Sequence, residues 1–436
     1  MNLSEDQRKV FDLYLEKENV FVTGPGGSGK SYLIKEIYNH SKNNEKKIQV
    51  CALTGCAAFS LNCSAKTLHS WAGIGLGTES VEELSNKIRK NKYKFKNWRS
   101  TDILIVDEVS IMSKNLLELL NNIAKIIKKK DLPFGGMQVI FSGDFYQLPP
   151  IDKTKKDVSF CFESKTWSEL FQRQIKLKSI FRQTDESYIN ILNQVREGNL
   201  SEENEKILKG KINRKVPEGS EIIPTFLCPI KSAVEEINKQ KIKKLTSEVY
   251  SYEVNKRCDL SMNNGEKILR QNYNQINIDV ELEFIANNIS CDKKIDLKIG
   301  AQVMCTINIK DENVLFISNG SQGIVSGISK NNYPIVRYFN GHIREMGPNL
   351  WKSENIPGIG IEQIPLILSW ALTIHKAQGA TLEMAEIDVG SNVFEFGQTY
   401  VALSRVVSID GLYLKSFDKN KIKVNSKVKL FYDNLK

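Results

Sequence analysis

The chain has 436 residues, of which 41% are hydrophobic and 26% charged. That is the balance of a soluble globular protein, and the length predicts roughly two to four domains rather than one core. A net charge of +10 points to a polyanionic partner, nucleic acid or an anionic membrane surface, although a generally lysine-rich composition accounts for it equally well. The eight cysteines form no CxxC pair and the four histidines have no ligand spacing to a cysteine, which argues against a zinc site and a disulfide framework. The polar start, Met1 to Gln7, carries no signal or transit pattern, and no apolar run approaches membrane-spanning length. A cytoplasmic location is therefore expected.

The apolar run Val20-Phe21-Val22 leads toward Gly24-Pro25-Gly26-Gly27-Ser28-Gly29-Lys30-Ser31, a complete GxxxxGK(S/T) phosphate-binding loop. A strand delivers the chain to a glycine-rich turn whose N–H groups converge on phosphate oxygens. A helix starting near Lys30 aims its positive end at the same place. Lys30 is predicted to contact the β/γ-phosphates and Ser31 to ligate Mg²⁺, which makes a nucleoside triphosphate the expected ligand.

Ile48–Leu53 reads as a second strand. The polar, basic stretch 79–99 then looks like a small surface insertion. The strand Ile103–Val106 ends in Asp107-Glu108. On a strand adjacent to the phosphate loop, Asp107 is predicted to reach the Mg²⁺ held by Ser31, and Glu108 to orient or deprotonate an attacking water. A helical pattern over Asn115–Lys128 precedes a strand at Val139–Phe141 and the block Gly143-Asp144-Phe145-Tyr146-Gln147-Leu148-Pro149-Pro150. Gln147 is a candidate γ-phosphate contact, with Phe145 and Tyr146 facing a ligand channel. An ordinary Gly-Asp turn closed by prolines reads equally well. The alternation predicts an α/β domain over 1–170 with a parallel sheet.

Helical periodicity resumes at Tyr188–Glu197 and Ala233–Leu245, around a strand at Thr225–Leu227. From about 296 short β runs appear at Gln302–Ile307, Gly323–Ile328 and Ile335–Phe339, with turns at Asn319-Gly320, Asn331-Asn332 and Asn340-Gly341. They predict a small β-barrel-like module over 301–360. Ile364–His375 returns as a buried strand and Gln398–Leu403 as a helix. The second α/β domain is thus expected over 171–300 plus 361–436, interrupted by the module.

Several blocks in fixed order resemble superfamily 1B DNA helicases of the Pif-one (petite integration frequency) type. Leu3-Ser4-Glu5-Asp6-Gln7 resembles the Q motif. Thr54-Gly55-Cys56-Ala57-Ala58 resembles motif Ia, with Cys56 where the family has an apolar residue. Thr67-Leu68-His69-Ser70-Trp71-Ala72-Gly73-Ile74-Gly75 is similar to the TLHSFAGIG block, with Trp71 in place of Phe. Pro133-Phe134-Gly135-Gly136 leading into Gly143–Pro150 resembles the family signature and motif III. Phe181-Arg182-Gln183 resembles motif IV. Asn319-Gly320 with Gly323 is similar to the turn of the SH3-like module. Thr373-Ile374-His375-Lys376-Ala377-Gln378-Gly379 and Gln398-Thr399-Tyr400-Val401-Ala402-Leu403-Ser404-Arg405 resemble motifs V and VI. Residues 245–295 fit no motif.

The resemblance spans residue 3 to about 412. It implies two RecA-like P-loop NTPase domains, a small wedge insertion near 79–99 and an SH3-like β-barrel insertion. It implies ATP and Mg²⁺ as cofactors, Gln7 as the adenine reader and Gly379 as a further nucleotide contact. Arg182 and Arg405, both expected from the second α/β unit, are candidate arginine fingers crossing to the γ-phosphate. The implied DNA contacts are Thr54, Gly55, His69, Trp71, Phe145, Thr373, His375 and Lys376. Rings stack on bases with little sequence preference, whereas His69 and His375 also read as buried, hydrogen-bonded histidines. The implied activity is 5′→3′ movement on single-stranded DNA with unwinding of forked or tailed duplex, extending to G-quadruplexes or RNA–DNA hybrids. The expected form is a monomer without membrane contact. The main alternative is a DNA-stimulated translocase that strips proteins or RNA. A P-loop kinase is disfavoured by Glu108 and the paired arginines, and a non-catalytic strand binder by the intact hydrolytic set.

Overall fold

The computed structural model describes residues 3–61, 63–75, 77–150, 159–216, 219, 223–258, 275–309, 317–353, 356, 358–374 and 376–435. The chain divides into two compact units. The first comprises Met1–Leu200, Glu395–Val401 and Ile422–Lys436; the second comprises Ser201–Phe394 and Ala402–Lys421.

The first unit is built on a six-stranded sheet. Its strands are β1 (Val20–Thr23), β2 (Ile48–Ala52), β3 (Lys66–Thr67), β4 (Ile103–Asp107), β5 (Gln138–Ser142) and β6 (Arg173–Lys176), in the order β3-β2-β4-β5-β1-β6. All pairings are parallel. β4 is buried along its whole length, as a parallel strand covered on both faces must be. Side-chain alternation splits the core into two. Val20, Val22, Ile103, Ile105 and Ile140 face a cluster with α1 (Glu5–Leu15) and α2 (Lys30–Asn43). Phe21, Leu104, Val106, Val139 and Phe141 face a second cluster. That cluster is completed by α5 (Val81–Lys90), α6 (Lys92–Ser100), α7 (Lys114–Lys128), α8 (Lys165–Leu170) and α14 (Ser426–Asp433).

Three expectations change here. Asp107 does not sit on a strand adjacent to β1, because β5 pairs with both β1 and β4 and lies between them. The first unit does not end at 170. β6 pairs with β1 from Val20↔Arg173 to Thr23↔Lys176, and the unit runs on through α9 (Glu186–Glu197) to Leu200. The polar edge strand Arg173-Gln174-Ile175-Lys176 lacks the apolar run that marks a buried strand. The stretch 79–99 is a packed helix pair rather than a surface strip. Leu84, Ile88 and Trp98 enter the core while Lys87, Arg89, Lys90, Lys92, Lys96 and Arg99 stay exposed; Lys94 is half-buried and donates to the Ser70 carbonyl at 2.6 Å.

The second unit holds a four-stranded parallel sheet of β7 (Thr225–Cys228), β18 (Ala371–Thr373), β19 (Ala385–Val389) and β20 (Leu412–Phe417), ordered β18-β7-β19-β20. α11 (Lys231–Lys244) packs on it. A five-stranded antiparallel sheet, β14-β13-β12-β11-β17, joins Gln302–Cys305 (β11), Gln322–Ile328 (β12), Pro334–Tyr338 (β13), Ile343–Glu345 (β14) and Leu366–Leu368 (β17). Residues 245–295 contribute β8 (Tyr250–Glu253), which pairs with β10 (Lys294–Leu297). They also contribute β9 (Asn255–Arg257), which joins β16 (Gly360–Gln363). Ile364–His375 is not one strand. β17 belongs to the antiparallel sheet and β18 to the parallel one, and the chain changes sheets at Ser369. There the Ser369 N–H donates to the Gln302 carbonyl at 3.0 Å and the Thr225 hydroxyl donates to the Ser369 carbonyl at 2.6 Å. The unbroken apolar run of the sequence hides this change.

Candidate nucleotide site and nucleic-acid contacts

The phosphate loop leaves β1 and opens α2. Gly29 precedes the helix in a left-handed conformation, with no side-chain cap, so the first-turn N–H groups stay available to an anion. Gly27 has a positive φ of 84°, and a Cβ there would lie 2.6 Å from the Cβ of Arg182. Glycine is required on both counts. Lys30 Nζ donates to the carbonyls of Gly24 at 2.7 Å and Pro25 at 3.0 Å. Burial pulls the ammonium below the usual lysine range, against the charges of Asp144, Glu108 and Asp107. Ser28 is buried, whereas Ser31 is exposed on the first turn of α2. Gln7 accepts from the Ser4 N–H at 3.0 Å and donates to the Gly29 carbonyl at 3.3 Å, which fixes its amide against the loop.

Asp107 ends β4 and is buried. Burial raises its carboxyl above the usual range, opposed by Ser142, the Glu108 backbone and Lys30. Glu108 adopts a left-handed backbone, φ 58° and ψ 38°, uncommon for a residue with a side chain and frequent where geometry serves a site. The donor set fits Mg²⁺. Ser31 and Asp107 supply hard oxygens, and such sites take few protein ligands because phosphates and waters complete the shell. A cation beside Asp107 would favour the ionised form that burial disfavours.

Arg182 stands in the first unit beside Gly27, and the Phe181 N–H donates to the Gly27 carbonyl at 2.8 Å. The expectation that both arginines come from the second unit is thus corrected, since β6 carries the Phe181–Gln183 segment back to the loop. Arg405 does belong to the second unit, where it is buried and Nη2 donates to the Ser404 hydroxyl at 2.8 Å. Gly379, φ 84°, lies in the second unit as well, with nothing within 4 Å of where its Cβ would be. Gln147 is buried, and its Nε2 donates to Asp144 Oδ2 at 3.4 Å.

The proposed strand contacts divide. Thr54 Oγ1 accepts from the Ala57 N–H at 3.2 Å and so caps α3 (Gly55–Leu61), whose first residue is the buried Gly55. His69, on α4 (Leu68–Ala72), is partly buried, and burial lowers its pKa. Thr373 accepts from the Lys376 N–H at 3.1 Å, and Lys376 Nζ pairs with Asp292 at 3.2 Å. His375 lies outside the described residues. Two rings are not stacking platforms. Trp71 is 0% exposed, packed on Trp98 with centroids 4.6 Å apart. Phe145 is 2% exposed, inside a cluster with Phe21, Phe160, Phe162, Trp167 and Phe431. Tyr146 is likewise buried, stacked on Tyr432 at 4.5 Å. Burial of such large apolar area outweighs any gain from leaving the rings open.

The sequence pattern of the PIF1-like helicase family matches residues 2–206. The ATP-dependent DNA helicase RRM3 of Saccharomyces cerevisiae is 33% identical, over 99% of this chain and 68% of its own length. The chain belongs to the PIF1-like helicase family. The ATP-dependent DNA helicase PIF1 of Danio rerio is 35% identical over 100% of this chain, which spans 64% of that protein's length. A crystal structure of Pif1 helicase from Candida albicans, 35% identical, superposes with a TM-score of 0.77, covering all of both chains. The structure of Pif1 helicase from Bacteroides in complex with ADP-AlF3 and ssDNA is 28% identical with a TM-score of 0.65, over 99% of this chain and 97% of that one.

The structure adds Arg196, which sequence reasoning missed, and gives contacts to Tyr400 and Phe181, which the sequence offered only as members of motif-like blocks. Arg196 of α9 grips Asp144 with two bonds, Nε to Oδ2 at 3.0 Å and Nη2 to Oδ1 at 2.7 Å, both side chains being buried. An arginine on the apolar face of the Tyr188–Glu197 helix was the legible signal. Arg196 holds the Asp144 carboxyl below the usual range although burial, the largest influence, pushes it up. The Tyr400 hydroxyl accepts from the phosphate-loop Gly26 N–H at 2.8 Å. Phe181 is 60% exposed, with its ring within 3.2 Å of where a Gly29 Cβ would stand, next to Gln7.

Proposed function

We propose that the chain is an ATP- and Mg²⁺-dependent 5′→3′ DNA helicase that translocates on single-stranded DNA and separates tailed or forked duplex. The observation that carries this is the convergence of Lys30 with the charges of Asp107, Glu108 and Asp144 at one end of the first unit's sheet. In this reading the loop amides and Lys30 bind the phosphates, and Gln7 reads the adenine. Glu108 orients or deprotonates the attacking water and Gln147 contacts the γ-phosphate. Mg²⁺, held by Ser31 and Asp107, supplies charge neutralisation at the phosphates. Arg182 and Arg405 are proposed to stabilise charge developing in transfer, and such arginines contribute about 10³–10⁵ in rate in related chemistry. Gly379 is a further nucleotide contact.

Thr54, Gly55, His69, Thr373, His375 and Lys376 are the proposed strand contacts. For Lys376 this means exchanging Asp292 for a phosphate. The α5–α6 pair is proposed as the wedge, the five-stranded sheet as an SH3-like module, and the two parallel sheets as RecA-like domains. Relatives named ATP-dependent DNA helicases, and a neighbour containing ADP-AlF3 and ssDNA, support the same assignment. G-quadruplexes and RNA–DNA hybrids are proposed as further substrates, a monomer as the working form and the cytoplasm as its place. No described helix is long and apolar enough to cross a membrane. The test is ATP turnover with and without oligo-dT. Stimulation that vanishes in Lys30→Ala supports the proposal, and wild-type turnover in that variant overturns the loop's role.

A further inference from the structure

Tyr432 lies on α14, far in sequence from every motif, and its hydroxyl touches three parts of the first unit. The oxygen is 2.6 Å from Thr23 Oγ1, the last side chain before the phosphate loop. It accepts from the Phe145 N–H at 3.1 Å and donates to Asp144 Oδ1 at 3.3 Å. If the Thr23 hydroxyl donates to it, the phenol makes one donated and two accepted bonds, its full capacity. The ring is fixed independently, stacked on Tyr146 at 4.5 Å and 12° and beneath the Arg196 guanidinium at 5.3 Å. Asp144 in turn holds Gln147, through a carbonyl bond from the Gln147 N–H at 2.9 Å and the side-chain bond at 3.4 Å. One hydroxyl therefore ties the start of the phosphate loop to the segment bearing the γ-phosphate candidate.

We propose that Tyr432 is a positioning residue for ATP turnover, setting the separation between the phosphate loop and Gln147 through Thr23 and Asp144. The inference rests on the ATP-hydrolysing reading above. Tyr432 touches no substrate, and its effect is transmitted through Thr23 and Asp144.

The test compares Tyr432→Phe, which keeps the stacked ring, with Thr23→Val and the double variant. Steady-state ATP turnover is measured with oligo-dT at a temperature well below each variant's melting point. The expected result is a kcat lowered roughly tenfold in Tyr432→Phe, with KM for ATP changed less than twofold; a 1 Å misplacement in a site can cost about 100-fold. Thr23→Val should lower kcat in the same sense, again with little change in KM, and the double variant should lose nothing beyond Tyr432→Phe, because the one bond that Thr23→Val removes is among the three that Tyr432→Phe removes. Thr23→Ser, which keeps the hydroxyl, should restore wild-type kcat. Wild-type kcat in Tyr432→Phe, or additive losses in the double variant, overturns the inference while leaving the ATPase assignment intact. Absence of Lys30-dependent turnover in the wild-type protein overturns both.

Discussion

Replacing Arg196 with methionine keeps an elongated side chain but leaves Asp144 buried without its counter-charge. Both side chains of the pair are almost fully enclosed, at 2% and 0% exposure, so solvent cannot take over the role of the guanidinium. Breaking one partner of such a pair costs about 3–5 kcal/mol. At roughly 2–4 °C per kcal/mol for a unit of this size, the melting temperature should fall by about 6–20 °C. The penalty should depend on pH. In the wild-type protein the Asp144 carboxyl is held below its unfolded value, so its contribution is present above about pH 4 and fades below that. Without Arg196, burial dominates and the folded carboxyl rises above its unfolded value. The variant then gains relative stability as pH falls from 7 toward 4. Thermal melts followed by near-ultraviolet circular dichroism at pH 7 and 4.5 measure both effects. Asp144→Asn combined with Arg196→Met should be less damaging at pH 7 than Arg196→Met alone. A penalty under about 1 kcal/mol at pH 7, or one unchanged at pH 4.5, would refute the account of the pair.

Glu108→Gln should retain nucleotide binding by fluorescence titration yet lose at least about 100-fold in turnover, in line with removal of a general base; near-normal turnover would take Glu108 out of the chemistry. Trp71→Ala should lower unfolding stability by about 3–5 kcal/mol, as for large core rings. Trp71→Phe should bind oligo-dT with wild-type affinity, and a large affinity loss in that variant would return the ring to the strand-binding surface.

The phosphate loop, the Asp107-Glu108 strand end and the alternation of the first unit were legible because each rests on local pattern. Val20–Val22 and Ile103–Val106 announce themselves as buried strands by composition alone. β6 did not, because Arg173, Gln174 and Lys176 sit at a sheet edge where polar side chains are tolerated. This misplaced the domain boundary and, with it, Arg182. The change of sheets at Ser369 was hidden inside one apolar run. Trp71 and Phe145 show a different limit. A ring that stacks on a base and a ring that fills a core are the same letter, and only packing distinguishes them. The Asp144–Arg196 pair joins residues 52 positions apart, and Tyr432 lies 288 from Asp144, separations that no local pattern reports.

The proposed function is ATP-driven unwinding with a fixed direction. The most direct test offers the protein otherwise identical duplexes with a 5′ or a 3′ single-stranded tail, with ATP and Mg²⁺, and follows strand release. Release from the 5′-tailed duplex, abolished in Lys30→Ala, is the expected result. Release favouring the 3′ tail, or none from either despite oligo-dT-stimulated ATP turnover, would contradict it.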